Sequence, residues 1–183
     1  MRIISGRYKG HKIDGYNIDG TRPTMDRVKE SLIAMIQNEI PDSVCLDLFT
    51  GSGSVGLELL SNGAKKCYFV DNNPKVIETL TRNIKKLNVI EEYQLLKGNF
   101  ENVLKQLAKD NVKLDIVFLD PPYKDNYISK AIKLIKEYDL LNDEGLIICE
   151  YEIEKIDTLD YKIIKEKRYG SKWVMILKMD KQN

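Results

Sequence analysis

Short apolar runs alternate with amphipathic stretches along most of this chain. Residues 44–48, 67–70, 93–96, 114–119 and 146–149 read as strands, and the most apolar of them carry side chains suited to burial on both faces. Between them, apolar residues recur at helical spacing. Met25, Val28, Leu32, Met35 and Ile36 share one face of a first helix, for which Thr24 is the expected N-cap and Asp26 a favourable first-turn acid. Pro41 closes that unit. A second helix is predicted over 55–60, after a glycine turn. Pro74 opens a third, whose face is Val76, Leu80, Ile84 and Leu87. Val103, Leu104 and Leu107 mark a fourth, and Ile128, Ala131, Ile132 and Ile135 a fifth.

Strands alternating with helices predict an α/β fold, a mostly parallel sheet covered on both faces. The tail breaks the alternation. Residues 161–168 and 172–179 are strand-like and are separated only by Tyr169-Gly170-Ser171, so they read as an antiparallel hairpin at one sheet edge. Residues 1–20, with Gly6, Gly10, Gly15 and Gly20 as turn residues, are expected to form a small β-hairpin appendage. Residues 21–183 are then the main domain. No internal repeat or long linker interrupts it.

The glycine turn carries the first chemistry. Gly51-Ser52-Gly53-Ser54-Val55-Gly56 is a G-x-G-x-x-G directly after a strand and before a helix, the context that an adenosine-containing cofactor requires. Asp71 ends the next strand at the distance where a carboxylate meets ribose hydroxyls. A nicotinamide dinucleotide and S-adenosylmethionine both remain candidates at this point. Asp47, at the end of the first strand, favours the second: it would repel a pyrophosphate and attract the cationic methionine end.

Asp120-Pro121-Pro122-Tyr123 carries the second. It ends the apolar run 114–119. Two prolines cannot extend the sheet, so they make a rigid corner where a parallel strand opens into a site. A carboxylate and the Pro121 carbonyl can accept both N–H bonds of an exocyclic amino group, and Tyr123 can stack on the base that carries it. Such a nitrogen is a poor nucleophile until it is held with its lone pair aimed at a methyl group. The motif therefore points to methylation of a nucleobase amine. His11 is the one histidine and lies in the basic N-terminal arm, so an acid–base triad is not expected. No metal-ligand spacing occurs.

Composition changes the picture little. The chain has 183 residues, 43% hydrophobic and 31% charged, with a net charge of +1, which suits one globular domain. The charge is uneven: Arg2, Arg7, Lys9 and Lys12 precede any acid, and Lys165, Lys167, Arg168 and Lys172 cluster near the other end. Local patches of this kind steer polyanions. Cys45, Cys67 and Cys149 lie in apolar runs without ligand spacing, as buried reduced thiols of a cytoplasmic protein would. No apolar leader and no membrane-length segment is expected.

Taken together, these stretches resemble the bacterial 16S ribosomal RNA guanine-N2 methyltransferases. The match includes residues 2–10, Arg22-Pro23-Thr24-Met25-Asp26-Arg27-Val28-Lys29-Glu30, Asp47 to Gly53, Asp120 to Tyr123 and Arg168-Tyr169-Gly170. The resemblance implies a seven-stranded class I (Rossmann-like) methyltransferase sheet, with S-adenosylmethionine between the ends of the first and fourth strands. It implies that Asp47, Phe49, Gly51 and Gly53 bind the cofactor at the turn and Asp71 its ribose. Asn99 and Phe100 would face the adenine. Asp120, Pro121, Pro122 and Tyr123 would be catalytic, with Asp120 also beside the cofactor. Arg7, Lys9, Lys12, Arg22, Arg27 and Arg168 would meet RNA. Relatives usually carry Asp where this chain has Asn99. The implied partner is 16S rRNA or a 30S assembly intermediate, met by a monomer without metal or membrane. An adenine-N6 DNA methyltransferase and a non-catalytic RNA-binding or assembly protein are the alternatives.

Overall fold

The computed structural model describes residues 1–15, 23–122 and 125–180. The expectations for Arg22 and Tyr123 lie outside the described residues, as does the side chain of Thr24. Among the described residues, five helices and seven strands follow in order: α1 (Pro23–Met35), β1 (Val44–Asp47), α2 (Ser54–Ser61), β2 (Lys66–Asp71), α3 (Pro74–Leu87), β3 (Glu92–Lys97), α4 (Phe100–Lys109), β4 (Leu114–Leu119), α5 (Tyr127–Glu137), β5 (Leu141–Tyr151), β6 (Tyr161–Tyr169) and β7 (Lys172–Met179). The sheet order is β3-β2-β1-β4-β5-β7-β6. The first five strands pair in parallel, and β7 runs antiparallel to both β5 and β6. This is the mixed seven-stranded sheet that the sequence pattern and the resemblance anticipated.

Alternation along each central strand feeds two cores. Cys45, Ile116, Phe118, Leu146, Ile148, Val174 and Ile176 face α1, α2 and α3. Leu46, Val117, Leu119, Ile147, Cys149, Met175 and Leu177 face α4 and α5. Because both faces are covered, these strands read as continuous apolar runs. All three cysteines are buried and unpaired, and burial raises their thiols, Cys45 to about 12.

The starts of α1 and β5 differ from the sequence expectation, the first for a local reason and the second because of a partner strand. The first helix begins at Pro23, one residue before the expected Thr24 cap, because proline is pre-set for the first helical position. The fifth strand runs over eleven residues. Its first half, Asn142-Asp143-Glu144-Gly145, is too polar to signal a strand. It is held by the pair Leu114↔Leu141 ahead of a register shift, and by Asn142 Nδ2 donating to Asp115 Oδ1 at 2.7 Å.

The N-terminal residues fold back as a short antiparallel turn, with Arg2 bridging Lys12 and Ile3 N donating to the His11 carbonyl at 3.0 Å. Ile3, Tyr8 and Ile13 are buried in the α1–α3 core. Burying each isoleucine contributes about 1.5–3 kcal/mol. The turn is also fastened by polar contacts to α2. Glu58 accepts from Ile4 N and from Ser5 N, both at 2.8–3.1 Å, and the Ser61 carbonyl accepts from Arg7 N. Lys29 of α1 closes the hub. Its ammonium lies 3.1 Å from Glu58 and donates to the Arg2 carbonyl and to Ser54.

Candidate active site

Strand order reverses between β1 and β4, so the crevice of this sheet opens beyond their carboxyl ends. A cavity of about 920 Å³ occupies that position, near the upper end of the range typical for ligand sites. Its wall includes Gly51 after β1, Asp71 ending β2, Asn99 and Phe100 opening α4, and Asp120, Pro121 and Pro122 after β4. Residues far apart in sequence therefore meet at one edge of the sheet because each ends a parallel strand or starts the helix after one.

The turn between β1 and α2 is braced from below. Asp47 is buried, and its Oδ2 accepts from Thr50 Oγ1 at 2.9 Å and Gly56 N at 3.1 Å. Burial pushes its carboxyl up to about 7, against the opposing pull of those two hydrogen bonds. Its Oδ1 is buried without a partner. Gly53 has φ 80°, and a Cβ there would sit 2.3 Å from Leu80 Cδ1. A Cβ on Gly56 would sit 2.3 Å from the Phe69 ring, so the third glycine lets α2 lie against β2. Asp47 and Gly53 thus shape the turn from beneath, whereas Gly51 faces the cavity with open space where a Cβ would be.

Asp71 is anchored at the rim. It accepts from Gly51 N at 3.3 Å and from Asn73 N at 3.0 Å. Asn99 caps α4, its Oδ1 accepting from Glu101 N at 2.8 Å. Phe49, Phe100 and Tyr127 form an aromatic wall. Phe49 stacks on Tyr127 at 6.1 Å and 8°, while Phe100 meets both rings at 5.3 Å, tilted.

Asp120 is half-buried beside Pro121, which is buried, and Pro122, which is exposed. Burial is the main cause raising its carboxyl to about 8. The Glu150 charge adds to this, and Lys172 opposes it. Lys172 lines the same cavity and pairs with Glu150 at 2.8 Å.

The basic residues lie elsewhere. Lys9 and Lys12 are exposed on the N-terminal turn, where Arg7 pairs with Glu91 at 3.1 Å. Arg27 is exposed on α1, and Arg168 on β6 lies 5.8 Å over the Trp173 ring. None of them is among the described residues lining the cavity. Tyr127, Lys130 and Lys172 line the cavity and were not assigned by sequence reasoning, and Glu150 reaches it through its pair with Lys172. A hairpin register brings Lys172 there, and a two-residue left-handed turn at Asp125 and Asn126 delivers Tyr127. Neither leaves a motif. Among the described residues no acidic, histidine or cysteine cluster is arranged to hold a metal. Among the same residues, no helix is long and apolar enough to cross a membrane.

The site fits an adenosyl cofactor with a cationic amino-acid end. The cavity has the volume, a carboxylate at the ribose position, an aromatic wall for a flat base and an unpartnered buried oxygen of Asp47 beneath the turn. Comparison with known proteins agrees. The family model described as conserved hypothetical protein 95 matches residues 1–178. Ribosomal RNA small subunit methyltransferase D of Haemophilus influenzae is 38% identical over 93% of this chain and 89% of its own. The protein of that name from Escherichia coli is 35% identical, over 84% and 76%. The solved structure of yhhF from Escherichia coli, described as a candidate methyltransferase, superposes with a TM-score of 0.87 at 31% identity, covering 100% and 99% of the two chains. The chain therefore belongs to the conserved hypothetical protein 95 family, and to the same family as ribosomal RNA small subunit methyltransferase D.

Proposed function

We propose that this enzyme transfers a methyl group from S-adenosylmethionine to the exocyclic N2 of a guanine in 16S ribosomal RNA. The observation that carries the reading is the meeting of Asp120 and Pro121 with Gly51 and Asp71 in one cavity. A cofactor-binding edge and an amine-binding corner then face the same space. The named function of its relatives supports the choice of RNA.

The cofactor supplies an electrophilic methyl group on a sulfonium sulfur. Asp71 is suited to the ribose hydroxyls, and Phe49, Phe100 and Tyr127 to the flat adenine. Asn99 stands at the adenine edge, where its cap bond leaves the amide N–H groups to donate. Gly51 allows close approach of backbone, and Asp47 supplies negative charge beneath the methionine end. On the substrate side, Asp120 and the Pro121 carbonyl accept the two amine N–H bonds. The carboxylate offsets the positive charge that grows on nitrogen as its lone pair bonds to the methyl carbon and the carbon–sulfur bond breaks, a preorganised electrostatic effect. A carboxyl titrating near neutral pH is also fit to take the proton that the methylated amine then loses. Tyr123 belongs to this corner by its place in the sequence.

Residues 1–20 serve as a basic arm for RNA, with Lys9 and Lys12 among its exposed cations. Arg7, Arg22, Arg27 and Arg168 complete the RNA contacts. In this reading the enzyme acts as a monomer in the cytoplasm. The net charge of +1 suits RNA already partly neutralised in a 30S assembly intermediate.

Labelled methyl transfer to 30S particles, naked 16S RNA and duplex DNA, run in parallel, tests the reading. Label on guanine N2 of either RNA substrate is expected. Label on adenine in DNA alone, or RNA binding without transfer, would overturn it.

A further inference from the structure

Parity along four neighbouring strands sets a row of ionisable side chains on one face of the sheet at its carboxyl edge. β1 turns Cys45 toward α1–α3, so Asp47 falls on that face. By the same alternation Asp120 follows Ile116 and Phe118, Glu150 follows Leu146 and Ile148, and Lys172 precedes Val174 and Ile176. The pairs Asp47↔Phe118, Leu119↔Cys149 and Glu150↔Val174 set Asp120 level with Glu150, Asp47 two residues short of that level on β1, and Lys172 two residues from the Val174 partner of Glu150.

The row is not symmetrical about Asp120. Asp47 and Glu150 push its carboxyl up, and among the described residues Lys172 pulls it down. Lys172 is anchored at the cavity wall by its 2.8 Å pair with Glu150, the two side chains being 23% and 13% exposed. Among the described residues, the remaining charged groups of the cavity lining are Asp71, Glu101, Asp125 and Lys130. On the helices covering this face, Lys29 and Glu58 neutralise each other.

We propose that Lys172 and Glu150 are positioning residues that set the charge on Asp120 in opposite directions, Lys172 drawing it toward the carboxylate and Glu150 toward the acid. The proposal rests on Asp120 acting as the amine acceptor. A protonated Asp120 would have one oxygen turned into a donor and could neither hold two N–H bonds with Pro121 nor accept the departing proton. Were Lys172 absent, burial and the neighbouring carboxylates would drive it further toward that form. The ion pair places a cation close to the reacting centre while cancelling most of its reach beyond it.

The test is a carbon-13 titration of the aspartate-labelled chain, with the Asp120 signal assigned by its loss in Asp120→Asn. Lys172→Gln is expected to move the Asp120 midpoint up, and Glu150→Gln to move it down, each by about 1 pH unit. Lys172→Arg is expected to leave it within a few tenths of a unit (roughly). In methyl transfer to RNA, the acidic limb of the pH–rate profile follows the same order. A merely structural pair would not shift the midpoint in opposite directions. Unmoved midpoints, or a shift of one sign in both variants, overturn the proposal. Should Lys172→Gln fail to fold, Glu150→Gln, which alters one atom and one charge, decides alone. The titration needs no substrate. If the wild type transfers no methyl to RNA but the midpoints diverge, the rRNA reading fails and the tuning stands. If it methylates RNA but the midpoints do not move, only the tuning fails.

Discussion

Glu58→Ala is expected to be among the most destabilising single changes outside the apolar core. Glu58 is fully buried, accepts hydrogen bonds from Ile4 N, Ser5 N and Ser5 Oγ, and neutralises Lys29, itself only 5% exposed. Its removal strands a buried ammonium and at least two backbone N–H groups. Breaking a buried pair from one side costs about 3–5 kcal/mol. At roughly 2–4 °C per kcal/mol for a chain of this size, the melting temperature falls by about 6–20 °C. Lys29→Met removes the other partner and leaves the Glu58 carboxylate with its hydrogen bonds, so it costs less. Lys29→Met with Glu58→Leu removes both charges. It is expected to recover at least about 1 kcal/mol relative to the sum of the singles. Urea unfolding at 25 °C measures all three. Limited proteolysis adds the local readout, because the hub ties the N-terminal turn to α1 and α2, and cleavage within residues 1–20 is expected to accelerate in Glu58→Ala. A loss below about 1 kcal/mol, or strict additivity in the double variant, would refute the view that this pair anchors the arm.

Asp120→Ala is expected to abolish methyl transfer to RNA while calorimetric cofactor affinity stays within a few-fold; retained activity would sink the amine clamp. Replacing Lys9 and Lys12 with Gln is expected to weaken RNA binding and to lower the slope of log affinity against log salt by about 0.7–0.9 for each phosphate no longer neutralised, with an unchanged slope identifying a merely solvated face. Asp47 gives a pH signature. Its folded carboxyl is raised to about 7 from an ordinary value of 3.8, so the folded state holds the extra proton between those values and stability falls as pH rises across that window. Asp47→Asn is expected to flatten the decline, and urea midpoints at pH 5 and pH 8 that differ as much as in the wild type would contradict the assignment.

Local chemistry made much of this protein readable in one dimension. The parallel strands appear as apolar runs because both of their faces are covered, and Pro74 and the Gly51–Gly56 turn mark helix starts through backbone constraints that no distant residue can alter. The Asp120-Pro121-Pro122 corner is legible for the same reason. The pattern failed where stability came from a partner rather than from the segment. The polar half of β5 is a strand because Leu114 and Asp115 lie beside it. Glu58 sits in Leu57-Glu58-Leu59-Leu60, where one charge in an apolar helix was the only trace of the hub.

The alternating α/β order, the antiparallel tail, the glycine turn and the carboxylate corner all follow from the order of residues alone, since each depends on periodicity or on the φ limits of glycine and proline. Which of these residues share a site was settled only by folding. Strand order put β1 beside β4, and the β5–β7 register carried Lys172 and Glu150 to the edge where Asp120 stands. Folding also set Asp47 and Gly53 beneath the cavity and Gly51 at its wall. These are outcomes of pairing between segments distant along the chain, and the side-chain period of a strand, which names a face but not a neighbour, contains no information about them.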